Sequence, residues 1–208
     1  MPTSTFRTPR LPRLLRVLAV ALVVAISLGA CGPFGDDYAF QGGEIPPPNP
    51  APAIALTDQQ GQPFDLAAQR GRAVLLFFGY THCPDVCPTT LSDFITVKEQ
   101  LGDRADDVAF VFVTVDPARD TSARLAEYLD FFDPSFIGLT GTDDQIARAK
   151  QGYGVFSQAR ESGSSLGYLV DHTTTTFLID PDGNYRLVYD YGTDPAAIAE
   201  DISHLVDA

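Results

Sequence analysis

Two stretches of the chain are almost continuously apolar, Val74 to Phe78 and Val108 to Val115. Both are too short for free-standing helices and rich in Val and Phe, so they predict strands buried on both faces. After the first run Gly79 breaks the pattern. Leu91, Phe94, Ile95, Lys98 and Leu101 then recur at helical spacing, predicting a helix from Pro88 to about Leu101 with Gly102 as its stop. The second run ends at Asp116-Pro117 and is followed by a helix from about Thr121 to Phe131. This is a βαβα unit with parallel strands. Upstream, Ile54 to Thr57 and Gln62 to Phe64 flank an Asp58-Gln59-Gln60-Gly61 turn and predict a hairpin. Downstream, Phe136 to Leu139 predicts a short strand, and Thr142-Asp143-Asp144-Gln145 is a capping box opening a helix to about Tyr153. Thr174 to Ile179, the Pro181-Asp182-Gly183-Asn184 turn, Tyr185 to Tyr191 and a helix opened by Asp194-Pro195 complete a ββα unit.

That order predicts an α/β thioredoxin-like fold over residues 53–208, with an N-terminal β-hairpin and an insertion before the last ββα unit. The turn after the first buried strand holds Cys83-Pro84-Asp85-Val86-Cys87-Pro88. A residue before proline avoids helical geometry, so both thiols are expected on a loop, with Cys87 at the helix N-cap. The unpaired N–H groups and helix dipole there predict that Cys87 ionises more easily than a free cysteine. A structural disulfide gains little from closing so short a loop. The remaining readings are a redox couple or part of a soft-metal site.

The first thirty residues carry Arg7, Arg10, Arg13 and Arg16 and no acid, followed by the apolar run Val17 to Ile26 and by Ser27-Leu28-Gly29-Ala30-Cys31. A basic region, a short apolar core and small residues make an export signal over 1–30, and the core is short for a membrane span. Leu28-Gly29-Ala30-Cys31 resembles the lipobox of bacterial lipoproteins. That implies lipidation at Cys31 and anchoring on the extracytoplasmic, periplasmic side of a bacterial membrane; an uncleaved signal anchor gives the same tethering. Residues 31–52 are expected to form a solvated tether, since Gly32 to Pro52 holds six prolines and four glycines. At roughly 3.1 Å per residue it reaches ~65 Å. Of the 14 basic residues four are the signal arginines, leaving 10 against 27 acidic residues, a formal charge of −17. Phosphate binding needs the opposite sign, which argues against nucleic acid as a partner.

Histidines stand at 82, 172 and 204. His204 falls in the last helix, away from the thiols. His172 lies just before the penultimate strand, where the loop of a thioredoxin-like fold folds over the cysteine turn. It is the candidate third ligand beside Cys83 and Cys87. His82 is expected to shape the loop, Asp85 to serve in the turn, and Asp116 and Asp120 to cap the second helix. Asp180 to Asn184 superficially opens a calcium loop, but Tyr191 stands where a bidentate glutamate is needed. A hairpin turn is expected there instead.

Phe77-Phe78-Gly79-Tyr80-Thr81-His82-Cys83-Pro84-Asp85-Val86-Cys87-Pro88-Thr89-Thr90-Leu91, Val115-Asp116-Pro117 through Arg119-Asp120-Thr121, and Val170-Asp171-His172 together resemble the SCO/SenC copper-chaperone family over about Ala53 to Val206. The resemblance implies a membrane-tethered protein that binds copper through two cysteines and a histidine, matching Cys83, Cys87 and His172. It also implies a role in assembling the dinuclear copper site of cytochrome c oxidase, with the subunit carrying that site as partner. Cys83 and Cys87 would then be a redox-active pair needing a thiol reductant. The donor chemistry agrees: two thiolates and an imidazole suit Cu(I) in a trigonal site and can also hold Cu(II). Zinc would want a fourth ligand. The alternative is a thiol-disulfide oxidoreductase acting on the cysteines of a copper-site partner. Thioredoxins, however, carry CxxC and a cis-proline where this chain has CxxxC and Thr174. A peroxidase reading of Val86-Cys87-Pro88-Thr89 fares worse, because Pro84 and Tyr80 replace the Thr and Pro that such a turn requires.

Overall fold

The computed structural model of the protein describes residues 38–46, 49–164 and 167–207. The expected signal, Cys31 and the first part of the expected tether lie outside these residues. Among the described residues no helix is long and apolar enough to cross a membrane. The chain forms β1 (Gly43–Glu44), β2 (Ala55–Asp58), β3 (Pro63–Asp65), β4 (Ala73–Gly79), α1 (Val86–Leu101), β5 (Val108–Thr114), α2 (Ser122–Asp130) and β6 (Ile137–Thr140). It continues with α3 (Asp143–Gly152), β7 (Ser157–Ser164), β8 (Gly167–His172), β9 (Thr176–Ile179), β10 (Tyr185–Tyr189) and α4 (Pro195–Asp207).

Among the described residues the main sheet has the order β1-β10-β9-β4-β5-β6-β2-β3. Its centre is the parallel pair β4 and β5, in register from Ala73↔Val108 to Gly79↔Thr114 and buried at every residue. Continuous apolar runs are what two covered faces demand. On one face Phe94 of α1 meets Phe110 and Tyr128 of α2 meets Phe112. On the other, Phe78 packs against Phe177 and against Tyr153, the residue that ends α3. Thr121 caps α2, and α3 opens with the capping box formed by Thr142 and Gln145. β9 runs antiparallel to β4 and β10 antiparallel to β9, and α4 follows. This is a thioredoxin-like arrangement, with β2 and β3 paired as a hairpin at the far edge.

Two features depart from the sequence reading. The segment between α3 and β9 is not a simple loop: β7 and β8 pair with each other as a separate two-stranded sheet. The expected solvated tether also does not extend through Phe40 to Ile45. Gly43–Glu44 adds to the edge of β10, and Ile45 N–H donates to the Arg186 carbonyl at 2.8 Å. The N–H groups of Gln41 and Gly42 donate to the fully buried Asp201 at 3.0 and 2.9 Å, and the Tyr189 hydroxyl donates to the same carboxylate at 3.0 Å. Gly42 is required for this approach, since a Cβ there would lie 2.7 Å from the Tyr189 ring. Composition predicted a solvated chain, but edge pairing and a buried acceptor give these backbone donors partners. His204 packs edge-on against Phe40, with ring centroids 5.5 Å apart.

Candidate metal centre

β4 delivers the chain to the site. Gly79 is its last residue rather than a breaker, and its missing side chain is the point: a Cβ would stand 2.8 Å from Cys87 Sγ and 2.7 Å from Phe112 Cε2. The next turn is held by a buried carboxylate. Asp120, fully buried, accepts from Thr81 N–H at 3.0 Å, from Thr81 Oγ1 at 2.7 Å and from Thr114 Oγ1 at 2.7 Å. It therefore does not cap α2, a role taken by Thr121. Asp116 is likewise no cap; it pairs with Arg119 and accepts from the Tyr168 hydroxyl. His82 Nδ1 lies 3.1 Å from Thr81 Oγ1 and 3.9 Å from Asp120 Oδ1, turned toward this knot of polar groups. The sequence clue was modest: two aspartates bracketing a proline, with threonines at two strand ends.

Cys83 sits on the turn and is partly exposed, but Cys87 is not at the N-cap. α1 starts at Val86 after Asp85, which puts the fully buried Cys87 inside the first helical turn. Pro88 is tolerated there because first-turn N–H groups have no intrahelical acceptor to lose. The helix N-terminus instead serves the other sulfur, with Cys87 N–H directed at Cys83 Sγ at 3.4 Å. The acidity expectation is accordingly reversed. A hydrogen bond from the Cys87 thiol, opposed by burial and aided by the amides of Asp85 and Cys87, pulls the Cys83 thiol down to about 4. Burial, and then the neighbouring Cys83 thiolate, push the Cys87 thiol up.

His172 is the last residue of β8 rather than a loop residue. Its Nδ1 lies 2.8 Å from the Thr173 carbonyl, which can only accept, so Nδ1 carries the hydrogen. The Nε2 lone pair is left facing Cys87 Sγ at 3.5 Å. Phe77 and Tyr80 hold the ring edge-on, with centroids 6.0 and 5.7 Å away. The Sγ atoms of Cys83 and Cys87 and a ring nitrogen of His172 all lie within 4.8 Å of one another. Among the described residues this group numbers three and includes neither His82, His204 nor Asp85. Both cysteines are free thiols. Two soft sulfurs and an imidazole fixed in its ligating tautomer make a three-donor metal cradle; the same two sulfurs can also close into a disulfide.

Residues 46–207 match the SCO1/SenC family. The mitochondrial "Protein SCO2 homolog" of Mus musculus is 38% identical over 157 residues, 74% of this chain and 62% of its own length. This chain thus matches less than two thirds of that relative. The "SCO2-like protein" of Rickettsia felis is 40% identical over 147 residues, 70% of this chain and 71% of its own. Among solved structures, Bradyrhizobium japonicum ScoI with copper bound is 36% identical with a TM-score of 0.68, covering 80% of this chain and 99% of that one.

Proposed function

The chain belongs to the SCO1/SenC family, and from that footing we propose that it is a copper metallochaperone that carries copper on Cys83, Cys87 and His172. The observation that carries this reading is the convergence of the three donors within 4.8 Å. Thiolates and imidazole match Cu(I), while the imidazole also makes the site acceptable to Cu(II). Copper here is cargo: the partly exposed Cys83 places one sulfur where a recipient can reach it. The recipient we assign is the cytochrome c oxidase subunit that carries the dinuclear copper site. The work takes place outside the cytoplasm, on the periplasmic side of a bacterial membrane, after removal of a signal over 1–30 and lipidation of Cys31. A thiol reductant must keep the pair open, because a disulfide has no thiolate to donate.

The test is a Cu(I) and Cu(II) titration of the full-length chain in detergent, reduced and oxidised. One copper per chain is expected in the reduced form and none at this site in the oxidised form. Equal binding by both forms would remove the sulfurs from the site. A second reading, thiol-disulfide exchange with a partner's cysteines, is favoured by the asymmetry of the pair: an accessible, readily ionised Cys83 beside a buried Cys87 is the arrangement of an attacking and a resolving thiol. Reduction of a disulfide substrate by the copper-free chain separates the two readings.

A further inference from the structure

Among the described residues β8 has no backbone ladder to the main sheet and pairs only with β7. The position of His172 therefore rests on side chains and on the short backbone link through Thr173 to β9. Alternation along β8 puts Tyr168, Val170 and His172 on one face, and Val170 is buried whereas Asp171 is exposed. Four residues before the histidine, Tyr168 meets the turn after β5. The Arg119 guanidinium lies on its ring with Cζ 3.6 Å from the centroid, and Arg119 Nη1 donates to the Tyr168 carbonyl at 2.9 Å. The Tyr168 hydroxyl donates to Asp116 Oδ1 at 2.8 Å, and Arg119 Nε pairs with Asp116 Oδ2. Both carboxylate oxygens are thus engaged, and the Asp116 N–H is itself held at 2.9 Å by Thr114, the last residue of β5. The closed ring fastens the hairpin to the end of a central strand. Arg119 also lies 5.8 Å from the Tyr80 ring, the same ring that packs edge-on against His172.

We propose that Asp116, Arg119 and Tyr168 are positioning residues for the third donor, holding β8 on the body so that His172 Nε2 stays over the sulfurs. They set how often the chain offers three donors rather than two. For its chemical consequence this rests on the copper reading above; for its structural consequence it does not. Two thiolates suffice to hold Cu(I) in a line, whereas Cu(II) calls for the nitrogen. Loosening the clamp thus weakens Cu(II) selectively.

The experiment uses the full-length chain in detergent as wild type, Tyr168→Phe and Arg119→Lys. Tyr168→Phe keeps the stacked ring and loses only the bond to Asp116; Arg119→Lys keeps the charge but not the planar fork. Without metal, amide hydrogen exchange in β8 should quicken by about tenfold in both variants, the scale of one lost charge-assisted hydrogen bond, while β4 and β5 stay at wild-type rates. With metal, Cu(II) affinity should fall about 10- to 100-fold, as when the outer partners of a ligand are removed. The nitrogen hyperfine signal of Cu(II) should weaken, and Cu(I) affinity should change by less than about threefold, since both thiolates remain. Wild-type exchange in β8 together with wild-type Cu(II) binding in Tyr168→Phe would overturn the clamp, as would equal loss of Cu(I) and Cu(II). A wild-type chain that binds no copper at all would instead sink the carrier reading, and the metal-free exchange rates would still decide the clamp.

Discussion

Cys83 and Cys87 hang from the most deeply buried part of the molecule, whereas His172 arrives on one of the least buried. β4 and β5 are covered at every position, share a seven-residue parallel register, and are sandwiched between helices on one face and the cluster of Phe78, Tyr153 and Phe177 on the other. β7 and β8 touch the body through Tyr168, Val170 and His172 and through a 2.6 Å hydrogen bond from Lys150 to Ser157, and most of β7 faces solvent. Close packing fixes the sulfurs, while the nitrogen's position depends on a few directed contacts. A site built this way keeps two donors under nearly all conditions and holds the third at adjustable cost. That division suits the carrier role proposed above, in which an ion is bound and then given up.

The comparison breaks first if the core is not what holds the sulfurs. Phe78→Ala removes a fully buried ring between Tyr153 and Phe177 and should lower unfolding stability by about 3–5 kcal/mol. That is much of what a domain of this kind has. Gln158→Ala, at an exposed position of β7, should stay within about 0.5 kcal/mol. Urea unfolding followed by circular dichroism measures both, and similar losses at the two positions would erase the distinction between the regions.

The same division explains what could be read in advance. β4 and β5 announced themselves because burial on both faces leaves almost no polar residue in the runs, Thr114 excepted, and the α1 pattern followed the helical period. His172 was found through topology, since its place before β9 put it over the cysteine turn. The hairpin that carries it was invisible: Ser157-Gln158-Ala159-Arg160-Glu161-Ser162-Gly163-Ser164 has neither alternation nor apolar content, because neither face of it needs a core. Tertiary context also overrode local rules at Cys87, where burial beneath Gly79 outweighed the reluctance of a residue before proline to be helical. Asp120 reads as a cap because one of its real partners, Thr81, is 39 residues away, and the nearer one, Thr114, belongs to the preceding strand.

His172→Ala sharpens the comparison at the next level down. Cu(II) affinity should drop by more than about a hundredfold, exceeding the loss expected from disturbing only a ligand's outer partners, while Cu(I) weakens far less because both thiolates remain. Fold stability should hardly move, since the hairpin contributes little to the core. Parallel Cu(I) and Cu(II) titrations with a thermal melt read all three. Equal loss for the two oxidation states would mean that the nitrogen is as indispensable as the sulfurs.

The two sulfurs should differ in their response to pH. The Cys83 thiol is pulled down to about 4, so its thiolate persists throughout the neutral and mildly acid range and is lost only as pH falls through that value. Alkylation of metal-free, reduced protein at Cys83 should therefore change less than about twofold between pH 8 and 5.5, whereas a free cysteine would slow by about 200-fold over that range. Cys87, buried and shifted upward, should resist the reagent throughout. Peptide mapping assigns the modified residue; reaction at Cys87 ahead of Cys83 would reverse the assignment of the accessible thiolate.

The smallest effect belongs to the outer side of the hairpin. Arg160 reaches across from β7 to Asp171 with hydrogen bonds of 3.1 and 3.2 Å, and Asp171 directly precedes His172. On a purely electrostatic view, removing Arg160 frees a negative charge beside the proposed third ligand and should be felt at the site. Geometry points the other way. Asp171 lies on the face opposite His172 and both members of the pair are exposed, with side-chain exposures of 61% and 57%, so water and salt screen them over a Debye length of about 8 Å. Exposed pairs of this sort contribute about 0–1 kcal/mol. Arg160→Ala should leave Cu(II) affinity within about twofold and the melting temperature within about 2 °C, the lower end of what a full kcal/mol would produce in a domain of this size. If it weakened Cu(II) as strongly as Tyr168→Phe does, the hairpin would be held from its outer side as much as from its inner one, and the placement of His172 could no longer be credited to the contacts that Tyr168 makes with Arg119 and Asp116.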